Sequence, residues 1–289
     1  MRITLALLFG FALASCAGEA PARPAKPAMW KMSDPDTTIY LFGTVHVLPA
    51  DAKWRTERFD RAVAEAQELV LEIADQDDKA ATAQTYVKLA SASGLPPVLE
   101  RVPADKRQAL RGLIEKAGLK PEQLNGLDTW AAAITIGSSM YRDIGATPAA
   151  GVENTLRGTF GAKPVSGLET TEQQLGYFDK MPEATQRKLL ISMIDDSASA
   201  STDFKKMVQA WSSGNTRSIA KTFDDELKKA PEIARVLIDE RNANWVTWLK
   251  GRLDRPGTIM VAVGAGHLAG RGSVIDLLQK QGLKVERVQ

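Results

Sequence analysis

Histidine is the side chain best suited to acid–base chemistry near neutral pH, and this chain of 289 residues contains only two histidines. His46 closes the tetrapeptide Gly-Thr-Val-His at residues 43–46, and His267 closes Gly-Ala-Gly-His at residues 264–267. Together with carboxylates, two imidazoles suit a divalent metal ion. They suit a metal-free general acid–base pair equally well, so the residue types leave both chemistries open.

Three glutamates are candidates to complete such a site. Glu72 lies near the end of the apolar segment 68–73, where a buried carboxylate is costly unless it has a partner. A salt bridge to Arg or Lys explains Glu72 equally well. Glu153 follows a Gly-Val pair at a predicted helix start, and Glu169 closes Ser-Gly-Leu-Glu at an apparent strand end. Glu153 also fits a plain structural role, in which the helix dipole stabilises its charge, and Glu169 also fits the plain role of a helix cap.

One arginine belongs with these candidates. Arg241 stands in Asp-Glu-Arg-Asn at residues 239–242, on a predicted amphipathic helix. It is either a solvated charge on that helix or a group that reaches a substrate oxyanion or orients a glutamate. A histidine at a strand end is itself more often structural than functional. The scarcity of histidine and the shared context of His46 and His267 favour a functional pair.

The candidates must be positioned by strands. Short apolar segments at 38–42, 68–73 and 258–263 predict buried strands, and a further strand is predicted within 163–170. Ligands bind at the carboxyl ends of strands in open α/β sheets, so these ends predict one shared site. Helical patterns dominate residues 96–250. We therefore predict an α/β fold with a central mixed sheet, flanking helices and a large helical insertion over about 96–250.

Two finer predictions concern the second half of the chain. We expect two or three helices over residues 182–250, with Met207, Trp211, Ile219 and Phe223 as ordinary helix-packing residues. The last segment shows a strand, a helix and a returning strand, which predicts a parallel strand pair with a right-handed crossover.

The N-terminus carries a separate signal. Residues 1–15 have the pattern of a signal peptide, with an apolar stretch too short to span a bilayer. Leu-Ala-Ser-Cys at 13–16 resembles a bacterial lipobox, which implies lipidation of Cys16 and an outer-membrane lipoprotein facing the periplasm. An ordinary secretory signal with a buried free cysteine is the alternative. Residues 16–28 are rich in Ala and Pro and predict a tether, which leaves residues 29–289 as the folded domain. The net charge of +2 gives no support for nucleic-acid binding.

Several of these pieces together resemble the TraB/PrgY/GumN family, which includes the Tiki-type membrane-tethered metalloproteases. They occur in the expected order and cover about residues 30–289. The matching pieces are Tyr40–His46, Leu69–Glu72, Gly151–Glu153, Gly167–Thr170, Arg241–Asn242 and Val263–Gly270.

The resemblance implies a fold similar to the erythromycin-esterase and ChaN-like proteins. It also implies an active site formed by the two Gly-x-x-His histidines and the strand-end glutamate. Tiki-type members imply metal-dependent peptide hydrolysis, whereas the related esterases imply a histidine base without a metal. We therefore expect hydrolysis of a peptide or small secreted factor, or of another small molecule. The same cleft in a non-enzymatic ligand- or peptide-binding lipoprotein is the rival prediction. The residues expected to bind Mn, Co or Zn are His46, His267, Glu72 and Glu169, and those expected to act in catalysis are Glu72, Glu153 and Arg241.

Overall fold

A central β-sheet organises the molecule. The structure is a computed structural model that describes residues 25–75, 78–143, 146–228 and 230–289. The predicted signal peptide, Cys16 and most of the predicted tether lie outside the described residues. In chain order, the strands are β1 (Met29–Ser33), β2 (Thr37–Thr44), β3 (Leu48–Pro49), β4 (Glu68–Ile73), β5 (Ala146–Thr147), β6 (Val165–Glu169), β7 (Gly257–Gly264) and β8 (Val285–Arg287).

The main sheet has six strands in the order β6-β4-β7-β2-β1-β8. The four strands β6, β4, β7 and β2 are parallel, so their carboxyl ends meet at one edge. Strand β1 pairs with β2 in antiparallel orientation. The predicted mixed sheet is thus confirmed.

The predicted pairing of the last strand with β7 is wrong. Strand β8 pairs with β1 in antiparallel orientation, with Trp30 opposite Arg287, and two strands separate it from β7. The reason is that β2 and β4 already pair with the two sides of β7. The three-residue β8 has two exposed residues, which suits an edge of the sheet.

Helices cover both faces of the sheet and form a separate lobe. They are α1 (Glu57–Glu65), α2 (Lys79–Ala90), α3 (Arg107–Lys116), α4 (Thr129–Asp143), α5 (Val152–Phe160), α6 (Thr171–Asp179), α7 (Glu183–Asp196), α8 (Ala200–Ser212), α9 (Thr216–Leu227), α10 (Pro231–Ala234), α11 (Glu240–Arg252) and α12 (Val274–Lys280). A π-helical turn, Arg235–Asp239, joins α10 to α11.

The prediction of two or three helices over residues 182–250 is too low, because five helices of the described chain, α7 to α11, begin within that range. Gly214 separates α8 from α9, because its backbone has a φ of +64°, a conformation that favours glycine and ends a helix. Pro231 begins α10.

Alternation along the strands divides the core into two layers. Phe42, Leu71 and Met260 point to one face and pack with residues of α1, α5, α8 and α9. Leu41 and Val261 belong to the other face, which packs against α11 and α12. The sheet is therefore packed between two helical layers, and this packing fixes the position of the strand ends relative to the surrounding helices.

Two further features lie away from the carboxyl ends of the parallel strands. Helices α3, α4 and α7 share their own apolar cluster, around Leu110, Ile136 and Leu190. Residues 25–28, at the end of the predicted tether, contact the fold: the Lys26 N–H donates to the Ser212 carbonyl, and Ala28 is buried. No helix among the described residues is long and apolar enough to cross a membrane.

Candidate active site

The carboxyl ends of four parallel strands bring the predicted residues together. Glu72 and Glu169 lie at the ends of β4 and β6, and His46 and His267 follow β2 and β7 directly. Because Thr44 pairs with Gly264, the two Gly-x-x-His segments run side by side. A Cβ on Gly264 would lie 3.1 Å from Glu72 Oε1, 3.6 Å from His267 Cδ2 and 3.9 Å from His46 Nε2. Both histidines and Glu72 therefore converge on this glycine.

His46 forms a close pair with Glu153. The distance from His46 Nδ1 to Glu153 Oε1 is 2.7 Å, and the His46 side chain is 67% exposed. Glu153 lies in the first turn of α5, where the helix dipole favours its charge. The approach of α5 requires Gly151, because a Cβ there would overlap the carbonyl oxygen of His46. The Val152 N–H donates to the Val45 carbonyl at 3.1 Å and fixes this approach.

The pairing changes the acidity of both groups. The hydrogen bond that His46 Nδ1 donates to Glu153 raises the pKa of His46 to about 9, against the opposing effect of partial desolvation at the site. Burial raises the pKa of Glu153, but its hydrogen bond to His46, the charge of His46 and the nearby Thr44 hydroxyl outweigh burial and lower the pKa. A histidine whose Nδ1 faces a carboxylate has its Nε2 left for substrate, which is the base-and-orienter arrangement of general-base sites.

Arg241 is the centre of a buried charge network. Its Nε donates to Glu169 Oε1 at 2.9 Å, and its Nη2 donates to Glu72 at 2.7 Å and to Glu169 at 3.0 Å. Its Nη1 donates to the Leu237 carbonyl at 3.2 Å and lies 3.2 Å from His267 Nε2. All five N–H groups of the guanidinium thus have acceptors within the chain. Arg241 therefore positions the two glutamates and His267, the second of the two roles expected for it.

His267 is held in one orientation from both sides. Its Nδ1 lies 2.7 Å from Asn242 Oδ1, and the Asn242 amide donates to the Gly272 carbonyl. Since Arg241 can only donate, Nε2 of His267 accepts and Nδ1 carries the proton. Burial lowers the pKa of His267 to about 4, so this imidazole is neutral near pH 7. His267 is therefore buried and held in one orientation beside the site, whereas the His46 side chain is exposed.

Glu72 is an ionised carboxylate with partners on both oxygens. Oε1 accepts the Gly264 N–H at 2.7 Å, and Oε2 accepts from Arg241 and, at 3.2 Å, from Gln174 Nε2. Burial raises the pKa of Glu72, but the charge that His267 takes up at acid pH, the charges of Arg241 and His46, and the Gly264 hydrogen bond outweigh burial and hold the pKa of Glu72 at about 2.

The expected metal ligands do not form a ready metal site together. Both oxygens of Glu169 accept from Arg241, and Oε1 also accepts from Trp245 Nε1 at 3.0 Å. A cation on His267 Nε2 would lie against the permanent positive charge of Arg241. Within the described ranges, no group of three or more His, Cys, Asp and Glu residues is placed to hold a metal ion. His46 Nε2 and Glu72 Oε1 remain the best-placed donors, and metal binding stays a prediction.

Two chambers open from the His46–Glu72 centre. A chamber of about 490 Å³ has mainly apolar walls and a polar floor that includes His46, Glu72, Arg241 and His267. A smaller chamber of about 290 Å³ has mixed walls, in which Leu71, Ile73 and Pro148 lie beside the polar side chains of Asn154, Arg157 and Gln174. His46, Glu72 and Gln174 border both chambers.

The interpretation of Met207, Ile219 and Phe223 as ordinary packing residues is incomplete. All three line the larger chamber, because α8 and α9 pass over the strand ends. Trp211 does pack in the core as predicted, and its Nε1 donates to the Gly43 carbonyl at 2.8 Å.

A family model described as the TraB/PrgY/gumN family matches residues 28–287. The chain belongs to the TraB/PrgY/gumN family. It is 22% identical over 251 residues to the uncharacterized protein YbaP of Escherichia coli (strain K12), covering 83% of this chain and 88% of that protein. YbaP of Shigella flexneri is also 22% identical, over 83% of this chain and 87% of that protein. No solved structure matches the chain significantly.

Each sequence piece that resembles the TraB/PrgY/gumN family contributes to this one site. Beyond the predicted residues, the site includes Asn242, Gln174, Trp245 and the backbone of Gly264. The sequence did point to Asn242, because Arg241–Asn242 is one of the pieces that resemble the family. Gln174 and Trp245 had none, because only the packing of α6 and α11 on the sheet edge brings them to the glutamates.

Proposed function

We propose that this TraB/PrgY/gumN protein is a hydrolase that cleaves an ester or amide bond in a peptide or small molecule, with His46 as general base. The observation that carries the proposal is the His46–Glu153 pair at 2.7 Å. The free nitrogen of that imidazole lies where the two chambers and Glu72 meet. This arrangement resembles general-base sites in which a carboxylate orients an imidazole toward water or a nucleophile.

In the proposed reaction, Nε2 of neutral His46 takes a proton from a water molecule as its oxygen attacks the substrate carbonyl carbon. Glu153 stabilises the imidazolium that forms. The same proton then passes from Nε2 to the departing oxygen or nitrogen as the scissile bond breaks. Arg241 contributes its fixed charge and its hold on Glu72 rather than a free N–H donor, because its donors are already engaged.

The raised pKa of His46 sets the expected pH dependence. With a pKa of about 9, only a minor fraction of His46 is neutral at pH 7. The base form therefore increases as pH rises toward 9. We expect kcat/KM to rise by about tenfold per pH unit below that value, provided that the chemical step limits the rate.

Metal-dependent hydrolysis is the second candidate. It is favoured by the convergence of His46 Nε2 and Glu72 Oε1 on Gly264 and by the resemblance to Tiki-type proteins. A bound metal would polarise the carbonyl or activate water, and His46 and Glu72 would be the residues to hold it. Ligation by His267 or Glu169 would first require displacement of Arg241.

A panel of chromogenic esters and fluorogenic peptides tests the hydrolase and the metal together. Protein stripped with a chelator is compared with protein supplied with Mn²⁺, Co²⁺ or Zn²⁺, and His46→Ala is compared with the exposed control Glu57→Gln. Full activity of stripped protein that is lost in His46→Ala supports the histidine mechanism. Activity that returns only with metal supports the second candidate. Ligand retention without turnover of any substrate favours the binding-protein alternative and contradicts both.

We also propose that the protein works at the bacterial cell envelope, anchored by lipid on Cys16 in the outer membrane and facing the periplasm. The support is the lipobox-like segment 13–16 and the Ala/Pro-rich segment after it. Radiolabelled palmitate should label the wild type but not the Cys16→Ser variant. After cell fractionation, the Cys16→Ser variant should no longer be found with the membranes. Equal membrane association of both proteins would contradict the anchor.

A further inference from the structure

Resting on the proposed function, we propose that the substrate is amphipathic and lies across His46. A large apolar acyl or side-chain group occupies the larger chamber, and a polar segment occupies the smaller one. The two chambers share His46, Glu72 and Gln174 and differ in the chemistry of their walls. A bond held at His46 therefore has a mainly apolar environment on one side and a more polar environment on the other.

The apolar wall is built from several helices around one space. Phe178 comes from α6, Met207 from α8, Ile219 and Phe223 from α9, and Leu237 from the π-helical turn. The volume of about 490 Å³ lies within the range of small-molecule sites. Burial of apolar groups in such a space is the main source of binding free energy.

Phe223 ties this wall to the reacting centre. A Cβ on Gly266 would overlap the Phe223 ring, so the ring lies directly against the second Gly-x-x-His segment. The backbone of that segment also provides the Gly264 N–H that binds Glu72. An apolar group that packs on Phe223 is therefore held at a fixed distance from Glu72 and His46.

The π-helical turn makes a second connection between the wall and the charged centre. Leu237 and Ile238, which are consecutive, both line the chamber. The carbonyl of Leu237 accepts from Arg241 Nη1. The same turn thus supplies apolar surface to the ligand and holds the cation that orients Glu72.

The smaller chamber suits the polar part of the substrate. Its lining includes Glu153, Asn154, Arg157 and Gln174. An apolar chain placed there would desolvate these groups without replacing their hydrogen bonds, which is costly. The chemistry of the walls therefore favours one orientation of an amphipathic chain.

Kinetics with a series of p-nitrophenyl esters, from acetate to octanoate, tests the chamber. We expect kcat/KM to rise by about threefold for each added methylene and the rise to be largely lost in Phe223→Ser. The control Thr222→Ser, exposed on the same helix, should keep it. A flat series in the wild type, or the same rise in Phe223→Ser, would overturn the proposal while leaving hydrolysis at His46 intact.

Binding measured in His46→Ala separates this proposal from the proposed function. By calorimetry, N-octanoyl-glycylglycine should bind at least about a hundredfold more tightly than N-acetyl-glycylglycine. Leu237→Ser should reduce that ratio, and it provides a second wall variant if Phe223→Ser folds poorly. Equal affinities for the two ligands would overturn the proposal, whether or not the wild type hydrolyses any ester.

Discussion

Replacement of Arg241 by methionine should destabilise the fold strongly. The guanidinium side chain is 7% exposed and lies between Glu72 and Glu169, whose side chains are 10% and 5% exposed. Methionine keeps much of the apolar stem but leaves two buried carboxylates without their cation. Removal of one partner of a buried ion pair typically costs about 3–5 kcal/mol. We therefore expect Arg241→Met to lower the free energy of unfolding by about that amount near pH 7.

The pH dependence of this loss identifies its cause. Without Arg241, the pKa of Glu72 should rise from about 2, because burial is then opposed by fewer charges. Glu72 of the variant can take up a proton as pH falls, so the difference in stability between wild type and variant should shrink toward pH 5. Adding Glu169→Gln to Arg241→Met should restore part of the stability, since one unpaired charge is removed.

Urea unfolding followed by circular dichroism measures these differences. The matched control is Arg235→Met, whose side chain is 65% exposed in its ion pair with Glu240 and should change stability by less than about 1 kcal/mol. A loss below about 1 kcal/mol in Arg241→Met, or a loss that does not depend on pH, would refute the role of Arg241 as the cation of a buried network.

Three further predictions follow from single positions. Gly151→Ala should destabilise the protein by about 1–3 kcal/mol and impair hydrolysis, because its Cβ would overlap the His46 carbonyl oxygen; Gly158→Ala, which has open space around it, should unfold no more easily than wild type. His267 has a pKa of about 4 in the folded protein, below its ordinary value of 6.5. The stability that its neutral imidazole contributes is therefore present above pH 6.5 and is lost as pH falls toward 4. That loss amounts to about 3 kcal/mol, and urea midpoints at several pH values should depend less on pH in His267→Gln; an unchanged slope would argue against a buried neutral imidazole. Glu153→Gln should shift the rising limb of the pH–rate profile to lower pH and reduce its plateau, and an unshifted limb would separate Glu153 from catalysis.

The sequence predicted the local parts of this site better than their assembly. The bounds of β4, Glu68–Ile73, follow from its apolar pattern, and the scarcity of histidine pointed to His46 and His267. The neighbour of β8 could not be predicted, because strand order depends on which of several possible long-range strand pairings is the most stable. The pairing of His46 with Glu153 had no local signal either, since it depends on how α5 packs across the end of β2.

The same limit explains the apolar chamber. Ile219 and Phe223 have the spacing of a helix face that packs on a core, and that spacing is the same whether the face meets protein or a ligand space. Only the position of α9 over the strand ends separates the two. Arg241 was open to two interpretations for a similar reason, because neither of its glutamate partners is near it in sequence.

The pairing of His46 with Glu153 is the feature on which the proposed chemistry depends, and an NMR titration of the imidazoles tests it most directly. With only two histidines in the chain, His46→Ala assigns both signals. We predict that His46 titrates near pH 9 in the wild type and at or below its ordinary value of 6.5 in Glu153→Gln, while His267 stays neutral down to about pH 4. A wild-type His46 that titrates near 6.5, or one that Glu153→Gln leaves unchanged, would contradict the account.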